Sequence, residues 1–397
     1  MNTHFKRQTL VITDSFFPEP VSAAAHMTDL VDYFSQNNNV TLVASCSNEE
    51  VIKRFTIKTC MLNNPFKRSG NKILRALFEI IFPILLAIKF KLKIKQKFDD
   101  TIIYSPTIFW YIFIKLVGRR NLGKINLIQR DIFPLWLAEV GVISKNSLIY
   151  KFFDRIFILL LASVDKVYVQ SHSDINTLIR KYRTSLSKID VLYNWYKFPD
   201  DITYVTKSAD EFNVCCLGNF GIAQNREHVA NVAKAFLSKY KNCKFLFMGL
   251  KRIDTIYFRE QLFPFTSEKR VSFLPTGSHD DAVKFAAKAN IGLVSLSADL
   301  NPGNIPGKFV AYVMAGLPSF ILAPRSFQVS QIVNNNALGE IALSEKVNQC
   351  ADQLYEALEK YHNKRSSFEK IRLFGQDNFS TNNIVKIMEY SDEKFTA

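Results

Sequence analysis

Short apolar runs return along almost the whole chain, with helix-patterned stretches between them, and no other feature limits the possible folds as much. In the first half the runs are Thr9–Thr13, Val40–Ser45, Thr101–Tyr104, Ile125–Gln129, Val167–Gln170 and Ile189–Tyr193. Ala23–Phe34 and Asp174–Tyr182 are two of the amphipathic stretches between them. Apolar strands separated by helices read as repeated βαβ units and hence a parallel sheet. From Trp195 to Glu211 the pattern lapses into a polar segment with Pro199 and three aspartates. It restarts with Phe212–Leu217, Lys244–Met248, Val271–Leu274, Ile291–Leu296, Ser319–Ala323 and Gly339–Leu343. The expectation is an α/β chain of two Rossmann-like, doubly wound domains facing across a cleft. Residues 1–195 form the first domain, 196–211 the linker and 212–375 the second domain, with 376–397 packing back on the first. Ligands of such sheets bind beyond the carboxyl ends of the strands, so residues just after each run are the ones to inspect.

The chain has 397 residues, room for two cores of ordinary size. Its six cysteines show no C-x-x-C spacing, and several sit inside strand-like runs, where cysteine behaves as a small buried hydrophobe. This favours a reducing cytoplasm and predicts no metal site. The opening residues run directly into a strand without the apolar core and cleavage site of a signal peptide, so a cytoplasmic location is expected.

Net charge is +15, and much of it is concentrated in residues 66–97, where nine basic residues stand against one acid, Glu79. Within this frame lies Ile80–Ile88, an unbroken apolar run with Pro83 inside it. Nine residues cannot span a bilayer, which takes about 20, but they suit a segment lying in the headgroup region. Three readings stay open: a buried helix kinked at Pro83 with a solvated basic end, a membrane-surface segment, and a nucleic-acid surface. No nucleic-acid motif accompanies the charge, and no nucleic-acid partner is expected.

Three loops after predicted strands carry candidate chemistry. Gly218–Gln224, G-N-F-G-I-A-Q, follows the first strand of the second domain and leads into a helix from about Arg226. Gly218 and Gly221 would let backbone approach a pyrophosphate, and Asn219 and Gln224 can donate amide hydrogens, although a structural tight turn explains the glycines equally well. Asp131 follows the strand ending at Gln129, where a carboxylate is either functional or a loop cap. Pro306 and Gly307 open a short helix in which Lys308 is the one charge. Exposed N–H groups and the helix dipole there would favour a phosphate, unless Lys308 simply faces solvent.

Taken in order, Asp14–Leu30, Arg130–Pro134, Val191–Trp195, Gly218–Gly221 with Gln224, Asn304–Phe309 and Gly316–Pro318 resemble the motif set of family 4 glycosyltransferases. The resemblance is to the branch that builds bacterial O-antigen and capsule repeat units and includes N-acetyl-L-fucosaminyl transferases. It covers nearly the whole chain. It implies the GT-B fold and a hexosyltransferase-type enzyme, retaining and metal-independent. Such an enzyme moves a sugar, here an N-acetylated amino sugar, from a UDP-sugar donor to a lipid-linked saccharide. The site is expected on the inner face of the cell membrane, with no cofactor beyond the donor.

The resemblance also implies roles. Gly218, Asn219, Gly221 and Gln224 fall on the diphosphate loop, and Pro306, Gly307 and Lys308 face the donor phosphates. Arg130 and Asp131 stand where many members carry His-Asp near the donor sugar, and Glu19, Ser22 and His26 lie on the acceptor side. Many members also carry two glutamates, one of them binding the ribose, at positions that here are Gly303 and Ala311. The basic pair that often grips the diphosphate is replaced by Asn219 and Gln224. With the ribose-binding glutamate missing, ribose recognition is expected from backbone or from Lys251 and Arg252, after the strand ending at Met248. Two rivals remain, a GT-B UDP-sugar epimerase and a non-catalytic sugar-nucleotide-binding subunit at the membrane.

Overall fold

Strands buried on both faces need apolar side chains in both directions, and the run Gln8–Thr13 supplies them. Leu10 and Ile12 point into one core cluster and Val11 into another. The computed structural model describes residues 6–19, 22–45, 51, 54–55, 57–64, 72–105, 107–139, 141–208, 211–218, 220, 224–298, 303, 305–342 and 346–384. The described residues through Tyr196, with those from Thr381, form one compact unit, and Lys197–Ser380 forms the other.

In the first unit the elements are β1 (Gln8–Thr13), α1 (Ser22–Asn37), β2 (Asn39–Ala44), β3 (Lys58–Met61), α2 (Lys72–Lys93), β4 (Asp100–Ser105), α3 (Trp110–Val117), β5 (Lys124–Gln129), α4 (Leu135–Glu139), α5 (Leu148–Ser163), β6 (Lys166–Val169), α6 (His172–Arg180) and β7 (Ile189–Val191). Seven parallel strands lie in the order β3-β2-β1-β4-β5-β6-β7. The connections run one way from β1 and the other way from β4, which opens a crevice at the carboxyl ends of these two strands. β3 is the strand that apolar patterning misses. Lys-Thr-Cys-Met is half polar, as befits an edge strand paired only to β2. Near the end of the chain Ile384 is fully buried in this unit's core.

α2 continues through Pro83 as a single helix of 22 residues. Phe82, Leu86, Ala87 and Phe90 bury one face in the core. Leu77, Ile81, Leu85, Ile88 and Leu92 recur at helical spacing on the exposed face, with Leu92 at 77% exposure. Lys91, Lys93, Lys95 and Lys97 are exposed at the end of this stripe, whereas Lys89 is half-buried and donates to the Met61 carbonyl at 2.5 Å. No described helix is long and apolar enough to cross a membrane.

The second unit comprises β8 (Phe212–Leu217), α7 (Arg226–Lys239), β9 (Cys243–Met248), α8 (Arg252–Gln261), α9 (Phe263–Ser267), β10 (Val271–Leu274), α10 (His279–Ala286), β11 (Ile291–Ser295), α11 (Gly307–Met314), β12 (Ser319–Leu322), α12 (Gln328–Asn336), β13 (Gly339–Ile341), α13 (Val347–Tyr361) and α14 (Arg365–Phe379). Its six parallel strands run β10-β9-β8-β11-β12-β13. The switch point lies between β8 and β11. β8 pairs with β9 over six residues but with β11 only at Ile291 and Gly292, so the two strands part toward their carboxyl ends.

Tyr312 of α11 fills that gap. Its buried hydroxyl accepts from the Leu217 N–H at 3.0 Å and lies 3.0 and 3.2 Å from the Cys215 and Leu293 carbonyls, to one of which it gives its proton. Its ring lies flat on Gly292, where a Cβ would come within 2.4 Å of it, so only glycine admits this packing. The described cysteines, Cys60, Cys215, Cys216, Cys243 and Cys350, are buried and unbridged.

Candidate functional site

Tyr312 fixes α11 against β8, and Lys308 lies one turn earlier on the same helix face. That places the Lys308 ammonium beside the carboxyl end of β8, 4.5 Å from the centre of the Phe220 ring. Burial depresses its pKa to about 8, opposed by the nearby Cys216, Cys215 and Asp254. Lys308 is therefore not a solvent-facing lysine. It is a desolvated cation held against an aromatic face at the switch point.

Gly218 follows β8 at φ +73°, and its N–H donates across to the Met248 carbonyl at 2.8 Å. Its chain neighbours apart, no described atom lies within 4 Å of where its Cβ would stand. Asn219 and Gly221 lie outside the described residues. Gln224 is half-buried just before α7.

A carboxylate does stand in this neighbourhood, on an element that motif reading passed over. Asp254, in the first turn of α8, is buried and pairs with Arg226 at 3.0 Å. Its other oxygen accepts the Phe220 N–H at 3.4 Å. Arg226 in turn lies 4.2 Å from the Tyr257 ring centre. Lys308 against the Phe220 ring and Arg226 on Asp254 together exceed that one carboxylate by one positive charge. Lys251 and Arg252 are exposed at the start of α8. Pro306 is the N-cap of α11 and Gly307 its first residue, while Ala311 and Gly303 are buried.

The first unit carries a second cluster at the carboxyl edge of its sheet. Arg130 follows β5 and donates to the Tyr104 hydroxyl at the end of β4, 2.6 Å. Burial pushes the Tyr104 phenol up to about 12, and Asp14, after β1, adds to the effect. Burial likewise raises the Tyr196 phenol, with Arg130 opposing. Asp131 is held by its backbone, since its carbonyl accepts from Gln129 Nε2 at 2.7 Å and from the Phe133 N–H at 2.9 Å. Its carboxylate caps nothing among the described residues. The surrounding protein raises its pKa above 3.8 by desolvation, partly offset by Arg130.

Glu19 is half-buried in the turn after β1, its N–H bonded to the Phe16 carbonyl. Ser22 begins α1, and its side chain lies outside the described residues. His26 is buried, its ring against Tyr196 and Trp195 at 5.0 and 5.6 Å, and its carbonyl accepts from Trp195 Nε1. Sequence reasoning missed Asp254, Arg226, Tyr104 and Tyr196. For Asp254 the available signal was its place in the first turn after a strand. Among the described residues no group of three or more His, Cys, Asp or Glu could hold a metal ion.

No family model matches the chain. Its sequence is 22% identical to a probable glycosyltransferase, WbjE of Pseudomonas aeruginosa, over 289 residues that cover 69% of this chain and 70% of that one. Solved structures match over nearly the full length. A glycosyltransferase from Rickettsia africae is 14% identical with a TM-score of 0.67, covering 98% of both chains. HepE of Anabaena in complex with UDP is 13% identical with a TM-score of 0.66, covering 97% of this chain and 99% of that one. WaaG, a glycosyltransferase of lipopolysaccharide biosynthesis, is 10% identical with a TM-score of 0.64, covering 97% and 100%. The chain has the GT-B fold, built from two parallel-sheet Rossmann-like domains.

Proposed function

We propose that the chain is a glycosyltransferase of bacterial surface-polysaccharide synthesis, moving a sugar from a UDP-sugar to a lipid-linked saccharide at the cytoplasmic membrane surface. The observation that carries this reading is Lys308, desolvated beside the open backbone of Gly218 at the switch point of the second sheet. The similarity to WbjE and the matches to HepE and WaaG support it.

Transfer requires that the bond from the anomeric carbon to the diphosphate break while positive charge grows on that carbon. Lys308 and the backbone amides around Gly218 and Gly307 meet the charge gathering on the departing UDP, the role a metal fills in other transferases. In the retaining course the acceptor oxygen bonds to the anomeric carbon as the phosphate leaves, and its proton passes to the departing phosphate oxygen. Asp131 then orients the reacting groups rather than attacking. The finer assignments, to family 4 and to an N-acetylated amino sugar such as an L-fucosamine derivative, belong to this proposal.

Incubating acceptor-bearing membranes and the protein with a panel of labelled UDP-sugars tests it. Label appearing in lipid-linked saccharide supports transfer. Epimerised UDP-sugar with no lipid product would mean an epimerase, and no turnover at all a binding subunit. Asp131→Asn should lower turnover about tenfold to a hundredfold with donor affinity changed only a few fold, because it acts on geometry at the reacting centre. Near-normal turnover of that variant would reduce Asp131 to a loop residue.

Membrane association is part of the same reading, through the exposed stripe and lysines of α2. Each lysine near an anionic surface contributes about 1 kcal/mol. Replacing Lys91, Lys93, Lys95 and Lys97 by glutamine should therefore move most of the protein from sedimented anionic vesicles to the supernatant. Lys89 is left in place because it holds β3. Unchanged sedimentation would make α2 an ordinary solvated helix.

A further inference from the structure

We infer that Arg130 is a receptor for an oxyanion, a phosphate or carboxylate group, carried by one of the substrates; the inference rests on the transferase reading above and sharpens it. A guanidinium has five N–H donors in a planar fork, and a protein that uses it structurally occupies several of them.

Two other enclosed arginines of this chain do so. Arg270 bonds the Cys243, Leu237 and Tyr240 carbonyls and the Glu268 carboxylate. Arg372 bonds the Met314 and Pro199 carbonyls. Arg226, which makes a single hydrogen bond among the described residues, makes it to the carboxylate of Asp254.

Arg130 is different. Among the described residues its side chain makes one hydrogen bond, to the neutral phenol of Tyr104, and no carboxylate ion-pairs with it. Asp131 acts on it only through space. The group sits at the carboxyl edge of the sheet, where α/β folds bind ligands, between two tyrosines that add no charge at neutral pH. A half-buried cation with most of its donors unspent by the protein is a ready receptor for an anion. The matching ligand is planar or tetrahedral and offers two oxygens. Three sources present such a group: the donor's diphosphate, a carboxylate on the donor sugar, and the diphosphate of a lipid-linked acceptor.

Calorimetric titration of wild type, Arg130→Gln, Arg130→Lys and Tyr104→Phe separates these sources. The probes are UDP, UDP-glucuronate compared with UDP-glucose, and inorganic pyrophosphate added at saturating UDP. Arg130→Gln should lose at least tenfold in affinity for one probe, Arg130→Lys should lose less, and Tyr104→Phe only a few fold. A loss with UDP assigns the donor diphosphate, a loss of preference for the glucuronate assigns a sugar carboxylate, and a loss with pyrophosphate assigns the acceptor side. Unchanged affinity for every probe in Arg130→Gln would overturn the inference. So would equal losses in Tyr104→Phe and Arg130→Gln, since the arginine would then serve only to pin the tyrosine. Thermal midpoints of each variant identify any loss that comes from unfolding. If wild type fails to bind UDP, the transferase reading falls, while pyrophosphate alone still decides the role of Arg130.

Discussion

Lys308→Ala is expected to weaken UDP binding by one to two orders of magnitude, since a charge-assisted contact contributes roughly 1.5 to 3 kcal/mol. Turnover should fall by about a further hundredfold, because the leaving diphosphate carries more charge in the transition state than in the bound donor. The structure sharpens this expectation in two ways. The resemblance to family 4 glycosyltransferases implies that Asn219 and Gln224 replace a basic pair, and Arg226 is already committed to Asp254. With a pKa near 8, Lys308 also loses its charge at mildly alkaline pH, so UDP affinity of the free protein should decline as pH rises through 8. Calorimetry across pH 6 to 9.5 reads both effects. Equal affinity for wild type and Lys308→Ala would move the donor site toward Lys251 and Arg252.

The same burial makes a prediction about stability. The unfolded chain holds the Lys308 proton up to about 10.5, the folded one only to about 8. Between those values the unfolded state binds more protons, so this lysine makes stability rise with pH. Below pH 8 both states are protonated and the full cost of burying the charge remains. Lys308→Met should therefore stabilise the fold at pH 7, by about 1 to 3 kcal/mol, and remove its share of the alkaline rise. A variant that gains stability while losing donor binding is what a functional buried cation predicts.

Asp254→Ala should have the largest effect on the fold itself. Removing one partner of a buried ion pair costs about 3 kcal/mol, here moderated because the Arg226 end reaches water. For a unit of this size the midpoint should fall by roughly 6 to 12 °C. Asp254→Asn is the more informative variant. It retains an acceptor for the Phe220 N–H but removes the charge that helps keep Lys308 protonated. The alkaline decline in UDP affinity should then move below pH 8, and it should vanish in the double variant with Lys308→Ala. An unshifted pH profile in Asp254→Asn would separate the carboxylate from the lysine.

What the sequence by itself determined is what neighbouring residues decide among themselves. A parallel strand covered on both faces must be a short continuous apolar run, so Leu10–Ile12 and Val214–Leu217 announce their state without reference to the rest of the chain. Residues just past such runs, Gly218, Arg130 and Asp131, could be singled out for the same reason. β3 escaped because an edge strand is half solvated and has no need of an apolar run. The unbroken apolar stretch of α2 gave no direction, since a helix apolar all round looks the same whichever side is buried. Packing against the sheet selected Phe82, Leu86 and Phe90 for the core and left Leu77, Ile81, Leu85, Ile88 and Leu92 outside.

Only the tertiary structure decided the electrostatics of the two clusters. Asp254 lies 34 residues from Phe220 and 28 from Arg226, and Tyr104 lies 26 from Arg130. Each pair meets because adjacent parallel strands end at the same level and deliver their following residues to one edge. Charge interacts through that distance in space, and through the burial that strengthens it, neither of which is written in the order of residues along the chain.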